Sequence, residues 1–331
     1  MSEVVQRFVY SFEEADSSRR DLLGGKGAEL STMTALGLSV PPGFVITTDA
    51  SREYYESGGW IPENLWSEVA SNMKKLELST GRGFGDPTNP LLVSVRSGAA
   101  ISMPGMMDTI LNLGMNQGVA SGIAKITGNE KFALDLYRRF LHMFSKVVMA
   151  VDVSSMGWKI DGIQDNKSDK QHVFDLKTII SDMKKDIVEM TGQSVPDDPY
   201  AQIEQAVRAV FGSWNTPRAI AYRNLRNIPH NLGTAASVVT MVFGNMDDKS
   251  GTGVVFSRNP STGDDNLYGE YLPNAQGEDL VSGATTPRDI SILSTMMPEV
   301  YNDLATTTKL LERHYRDIQD VEFTVERGKL F

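Results

Sequence analysis

Four charged side chains stand where the pattern of this chain changes, Lys26, Arg96, Asp320 and Glu322. Lys26 lies among glycines in Leu22-Leu-Gly-Gly-Lys-Gly27. The spacing of Leu30, Met33 and Leu36 starts a helix at Gly27, and Gly37 stands where a C′ glycine ends one. Glycines let backbone approach a ligand closely and a helix N-terminus attracts anions, so a lysine held there can grip phosphate. The same residues also suit a plain glycine-rich turn with a solvated lysine. Arg96 follows the apolar run Leu91–Val95 and precedes Ser97-Gly98. Asp320 and Glu322 open an alternating strand through Val325, and at i and i+2 they share one face. Two carboxylates on one face fit a hard cation such as magnesium shared with phosphates, or else a solvated strand face.

Three further stretches bear on chemistry. Ser102–Thr109 carries Met103, Met106 and Met107 around Pro104-Gly105, which argues against a helix. It reads either as a loop packed on a core with Met as gap-filler, or as a flap over a ligand. Thr240–Asn245 ends a strand in Gly-Asn and can act as a hinge, its backbone reading an adenine edge with Met241 and Val242 along the ring. Ser250-Gly-Thr-Gly253 reads as an anion-binding turn or as a plain hairpin turn.

The elements that must position these residues follow from periodicity. Arg7–Ser11 and Phe44–Thr47 read as strands, Asp49 as the cap of a helix through Tyr54, and Leu65–Leu76 as a helix, an α/β texture. From about Val119 to Trp214 the pattern is helical, with Phe132–Val148, a stretch from Ile179 to Met190, and a helix capped by Asp198-Pro199. Gly162–Lys170 is polar and reads as a surface loop. Beyond Gly233, Ala235–Phe243, Gly253–Ser257 and Leu267–Tyr271 suggest an antiparallel sheet, then a helix over Val300–Tyr315 and a hairpin turn at Glu326-Arg-Gly328. The second hairpin arm stops at Phe331, so the chain reads as cut there.

Bulk numbers exclude several classes. A chain of 331 residues exceeds one ordinary core. With no cysteine there is no disulfide scaffold, thiolate metal site or cysteine nucleophile. A net charge of −10 argues against a general nucleic-acid binder. No apolar run is long enough to span a membrane, and the N-terminus lacks signal or transit character, which makes the cytoplasm the default. His142 and His314 fall on helical patterns, His172 and His230 in polar loops, all far apart in sequence. Neither a Walker A motif nor a serine nucleophile elbow is present.

Taken in order, LLGGKGAEL, VPPGFVITT, LLVSVRSGAAISMPGMMDTILNLG, WNTPRAIAYR, TMVFGN, SGTGVVFSRNPSTG, YGEYLPNAQGED and QDVEFTVERGKLF resemble the N-terminal nucleotide-binding domain of the pyruvate phosphate dikinase family. The resemblance is weakest over about Val151–Val195. It implies an α+β, ATP-grasp fold: residues 1–116 with about 201–242 as an N-terminal α/β subdomain, 117–200 as a helical insertion, and 243–331 as a β-rich C-terminal subdomain truncated at its last strand. ATP would lie between the two subdomains, with magnesium. The family turns ATP, phosphate and pyruvate into AMP, pyrophosphate and phosphoenolpyruvate. This domain would run the partial reaction that phosphorylates a histidine on a separate domain.

Carried over by position, Lys26 and Arg96 match phosphate-binding cations, Gly105 and Met107 a phosphate loop, and Thr109 a nearby contact. Thr252 and Gly253 match a nucleotide-contacting turn, Met241 and Val242 the adenine hinge, and Asp320 and Glu322 the metal and nucleotide carboxylates. Arg139 matches a basic residue near the phosphates, and Arg218, Ser261 and Glu270 match positions where the histidine domain docks. Val239 departs from a glutamine common in relatives. The Leu-Gln-Thr-Arg continuation of the last strand, the phosphohistidine domain and the pyruvate-binding barrel do not occur in this sequence. The expectation is a monomeric fragment that does not complete the half-reaction alone. A stand-alone or regulatory ATP-binding module, and a structural protein that has lost its site, are the other readings, and retention of all four charged residues speaks against the last.

Overall fold

A computed structural model describes residues 6–156, 158, 168–282 and 285–331. In chain order its elements are β1 (Val9–Ser11), α1 (Arg20–Ala35), β2 (Gly43–Ile46), α2 (Thr48–Glu56), α3 (Leu65–Thr80), β3 (Gly83–Phe84), β4 (Pro90–Leu91), β5 (Val93–Gly98), β6 (Thr109–Leu113), α4 (Gln117–Thr127), α5 (Glu130–Val147), α6 (Asp169–Thr191), α7 (Pro199–Ser213), α8 (Pro217–Arg226) and β7 (Ala235–Thr240). There follow β8 (Gly251–Phe256), β9 (Tyr268–Pro273), α9 (Gly277–Ser282), β10 (Arg288–Asp289), α10 (Leu293–Met296), α11 (Pro298–Tyr315), β11 (Asp320–Glu326) and β12 (Lys329–Leu330). They divide into two units: Met1–Leu36 with Pro42–Met241, and Gly37–Pro41 with Val242–Phe331.

The first unit is built on a five-stranded sheet of order β1-β2-β7-β5-β6, and every pair in it is antiparallel. The strand–helix alternation suggests α/β texture, but the neighbours of β2 and β5 are not each other. β7, far along the chain, lies between them. All six residues of β7, AASVVT, are buried, as a central strand covered on both faces requires. Ala235–Phe243 therefore does not join the sheet formed by the later strands, and it ends at Thr240. Helix α1 packs on β2, β5 and β7, α7 on β5, β6 and β7, and α5 on β6.

Helix starts follow their caps. Asp198 accepts from the Ala201 N–H at 3.0 Å ahead of Pro199, and Thr216 does the same for α8 with Pro217. Thr47, not Asp49, occupies the N-cap of α2. Ser168 caps α6, so Asp169 and Lys170 are helical; the remainder of the expected surface loop, Gly162–Lys167, lies outside the described residues. His172 is also in α6 and buried, not in a polar loop, because the helix starts one turn before it.

In the second unit the order is β10-β9-β8-β11-β12, again all antiparallel. One face packs Val255, Tyr271, Phe323 and Val325 against Val300 and Leu304 of α11 and Leu293 of α10. The stretch expected as a turn at Ser250–Gly253 is the start of β8, paired with β9 on one side and β11 on the other. Its glycines answer to packing. A Cβ on Gly253 would lie 2.4 Å from the Phe323 ring and 2.5 Å from the Glu270 carbonyl oxygen. Tyr271 and Phe323, the two cross-strand partners of Gly253, stack with centroids 6.3 Å apart and planes 6° apart. The overall class is α+β.

Candidate functional site

In the first unit the sheet brings one group of the expected residues together at the end of β5. Val45, Ser237, Arg96 and Thr109 form a cross-strand row, since Val45 pairs with Ser237, Ser237 with Arg96, and Arg96 with Thr109. Residues directly opposite on antiparallel strands share a face, so Thr109 stands beside Arg96. Helix α1 covers this face. A Cβ on Gly27 would lie 2.9 Å from Val45, and one on Gly98, two residues after Arg96, would lie 3.5 Å from the Lys26 Cβ. Lys26 and Arg96 therefore stand on the same side of β5, Lys26 exposed between buried glycines.

The expected loop-to-helix junction at Lys26 takes a particular form. α1 starts at Arg20 and breaks at Gly24, where φ is 67° and ψ 172°, a region open essentially to glycine alone. A Cβ there would sit 1.8 Å from the Gly98 carbonyl oxygen. One residue on, the Gly25 N–H donates to the Ala99 carbonyl at 2.8 Å. The glycines thus clamp the turn onto the end of β5 and set Lys26 over it. The sequence signal for this was the glycine doublet, although nothing in it named Gly98 as partner.

The segment between β5 and β6 carries Gly105 and Met107. Met106 N–H donates to the Met103 carbonyl at 3.1 Å across Pro104-Gly105, and Gly105 has φ 69°, the residue pattern of a type II turn. Met103 is buried with Ala99, Trp214 and Ala219, and Met106 and Met107 pack partly against the same cluster. So the loop rests on a core, as the first of its two readings held. Arg218, expected at a docking surface, is half exposed and also binds this loop: its Nε donates to the Met106 carbonyl at 3.1 Å and its Nη2 to Asp108 Oδ1 at 2.6 Å.

Arg139 lies on α5, where its Nε donates to Asp135 Oδ2 at 2.8 Å. Burial by itself would raise the Asp135 pKa, but the charges and hydrogen bonds of Arg138 and Arg139 outweigh it and hold the carboxyl below its usual range. Arg138 is almost wholly buried, so Asp135 is its counter-charge. At the expected hinge, the Met241 N–H donates to the Leu92 carbonyl at 2.9 Å and is committed within the sheet. Val242 follows it, half-buried, and the Phe243 N–H donates to the Glu326 carboxylate at 2.7 Å.

The second unit gathers the remaining group on β8, β9 and β11. Asp320 and Glu322 are exposed and share the open face of β11. Glu322 pairs with Val254, and Val254 with Glu270, which puts Glu270 on the same face two strands away. Burial, then the Glu322 charge, raises the Asp320 pKa. Two anions crowd one another there, a situation that a cation relieves. Among the described residues no set of three or more His, Asp or Glu side chains is placed to hold a metal alone. A magnesium ion on this pair would draw its other ligands from phosphate and water, its common habit. Thr252 is buried and donates to the Phe323 carbonyl at 3.2 Å, and Gly253 faces the core. Both belong to a regular strand rather than to a turn, with β9 and β11 flanking the segment on its two sides. Ser261 lies in the loop after β8, its N–H bound to Asn259 Oδ1 at 2.9 Å.

Comparison with known proteins adds an independent finding. Residues 20–80 and 59–303 match the family described as "Pyruvate phosphate dikinase, AMP/ATP-binding domain". A pyruvate, phosphate dikinase of Clostridium symbiosum is 50% identical over 330 residues, covering 98% of this chain and 38% of the relative. The chloroplastic enzyme of Mesembryanthemum crystallinum is 49% identical over 322 residues, 96% of this chain and 34% of that one. Pyruvate, phosphate dikinase 2 of Zea mays is 47% identical over 334 residues, with 100% and 38% covered. The chain thus spans little more than a third of the length of these relatives.

Proposed function

The chain belongs to the pyruvate phosphate dikinase family by its AMP/ATP-binding domain, and from that premise we propose that it is an ATP-grasp domain that binds ATP and serves the first partial reaction of that enzyme. In that step the β-phosphoryl group of ATP passes to a histidine imidazole on a separate domain and AMP leaves, while the γ-phosphate ends on inorganic phosphate as pyrophosphate. The observation that carries this reading is the convergence of Lys26, Arg96 and Thr109 at the end of β5, on a turn whose glycines admit no side chain.

Phosphoryl transfer asks chiefly for positioning and charge neutralisation. Lys26 and Arg96 balance non-bridging phosphate oxygens, and the N–H groups and hydroxyl around Gly105, Met107 and Thr109 orient them. Asp320 and Glu322 would hold magnesium, which when bound would neutralise phosphate charge. Met241 and Val242 flank the base. The methionine loop excludes water that would compete with the histidine. Thr252 and Gly253 contact the nucleotide, and Arg139 lies near its phosphates. The same reading takes residues 117–200 as an insertion in an N-terminal subdomain, with 243–331 as its C-terminal counterpart. It expects a phosphohistidine domain and a pyruvate-binding barrel as partners in a longer protein, docking near Arg218, Ser261 and Glu270, and a cytoplasmic setting. None of the described helices is long and apolar enough to cross a membrane.

Calorimetric titration with Mg·ATP tests the site. Lys26→Ala and Glu322→Ala are each expected to weaken binding about tenfold or more while leaving the thermal transition in place. Undiminished affinity in both variants overturns the assignment. With a separately produced phosphohistidine domain and ATP labelled at the β-phosphate, transfer of label to that domain tests the partial reaction.

A further inference from the structure

We infer that Arg218 is the positioning residue of the methionine loop, fixing Asp108 and through it Thr109 opposite Arg96. This deepens the reading above and rests on it for its functional consequence, although the contact itself stands on geometry alone. The loop from Ser102 to Asp108 is held at two places of different kind. Met103 is sunk beneath Trp214 and Ala219, 5% exposed. The other end is held by Arg218, which spans two acceptors at once, the Met106 carbonyl at 3.1 Å and Asp108 Oδ1 at 2.6 Å. Between these points the turn at Gly105 meets nothing: a Cβ placed there has no neighbour within 4 Å. Without Arg218, the stretch from Pro104 to Asp108 would keep, among the described residues, its internal turn bond, the 3.4 Å link from Ser97 N–H to the Asp108 carbonyl, and the partial packing of Met106 and Met107 on the Trp214 cluster.

The anchor for this grip is rigid. Arg218 follows Pro217 in the first turn of α8, whose N-cap Thr216 accepts from the Ala219 N–H. The preceding corner is fixed by Arg223, which lies 4.1 Å over the Trp214 ring and donates to the Trp214 carbonyl. Its Nε donates to His230 Nδ1 at 3.0 Å, while Trp214 Nε1–H donates to the His230 carbonyl at 3.0 Å. A guanidinium on such a base can satisfy a carbonyl and a carboxylate in one fixed geometry, and a lysine ammonium, a point donor, cannot reproduce both together. Asp108 is covalently next to Thr109, so what Arg218 fixes is the register of the residue that faces Arg96.

Hydrogen exchange of the 331-residue chain without nucleotide tests this. In Arg218→Ala the peptide covering 102–108 is expected to exchange about fivefold faster, with the α7–α8 peptide unchanged. Arg218→Lys should recover part of the protection. The double variant with Asp108→Ala should exchange clearly more slowly than the two single effects combined would demand, showing coupling. Mg·ATP affinity should fall by a similar factor in Arg218→Ala. Loop exchange equal to the parent in Arg218→Ala, or strictly additive effects with Asp108→Ala, overturns the inference. If the parent chain itself takes up no Mg·ATP, the functional reading fails, and the exchange arm still decides the role of Arg218.

Discussion

The cationic end of the first unit and the acidic face of the second place charge by opposite means. Around Lys26 and Arg96 position comes from steric exclusion: a Cβ on Gly24 would strike the Gly98 carbonyl and one on Gly27 the Val45 side chain, while one on Gly25 would meet Arg20 of the same helix. Around Asp320 and Glu322 position comes from periodicity alone. They stand on the outer face of a regular strand, and their alignment is inherited from its pairing with β8. The first arrangement is intolerant and local. The second tolerates change at the charged residues but depends on register, since a slip of one residue would turn both carboxylates inward. The lesson is that two groups of charged residues in one chain can differ in where they are vulnerable: one in its backbone, the other in its sheet.

That contrast can be broken or sharpened by substitution. The largest effect is expected from Gly24→Ala, where a Cβ meets the Gly98 carbonyl at 1.8 Å and φ is 67°, a loss of about 4 kcal/mol or more. All four tryptophans, Trp60, Trp66, Trp158 and Trp214, lie in the first unit, so urea denaturation followed by their fluorescence measures it there. Next comes Asp135→Asn, which strips the counter-charge from the buried Arg138 and should cost about 3 kcal/mol at neutral pH. The depressed pKa of Asp135 gives the sign of its pH dependence. Its stabilisation is complete above the unfolded carboxyl value of about 3.9 and is lost as pH falls through the lower folded value. Asp135→Asn should remove that acid step from the denaturation midpoint.

Gly105→Ala should cost only about 1 kcal/mol, because φ is positive but the space around it is open. The smallest effect, opposite in sign, belongs to the acidic face. The Asp320 pKa is raised by burial and by Glu322, so the folded protein binds that proton more tightly than the unfolded chain. Stability is therefore lost as pH rises through the folded value. Asp320→Asn should leave the calorimetric transition of the second unit unlowered or slightly raised at pH 7, and unchanged near pH 3, while weakening Mg·ATP binding. A clear destabilisation at pH 7 would mean that the acidic face is as constrained as the cationic end.

Much of this was legible in the residues, and the reason differs with each. The shared face of Asp320 and Glu322 needs only the two-residue period of a strand. Asp198-Pro199, the turn at Pro104-Gly105 and the stop at Gly37 follow from rules within a few positions. What stayed hidden is what depends on partners distant in sequence. Nothing in AASVVT says which sheet it enters. The two glycines around Thr252 resemble a turn because their reason, the stacked rings of Tyr271 and Phe323, lies on other strands. Arg218 looks like a surface charge until Asp108 is seen in its grip. The spacing starts the helix at Gly27, after a glycine-rich junction, whereas the helix begins at Arg20 and is interrupted at Gly24, which fits against Gly98.

The place of β7 in its sheet carries a consequence for biosynthesis. Its neighbours β2 and β5 are complete by residue 98, yet the strand that must enter between them ends at Thr240. On a ribosome the interval between them lasts on the order of ten seconds. Through that time the edges of β2 and β5 that β7 will pair, and the face of α1 that packs on it, wait without their common partner. The nascent chain is then most open to chaperones and to wrong pairing, and the last strand of this sheet to emerge, the wholly buried AASVVT, is the one that closes it.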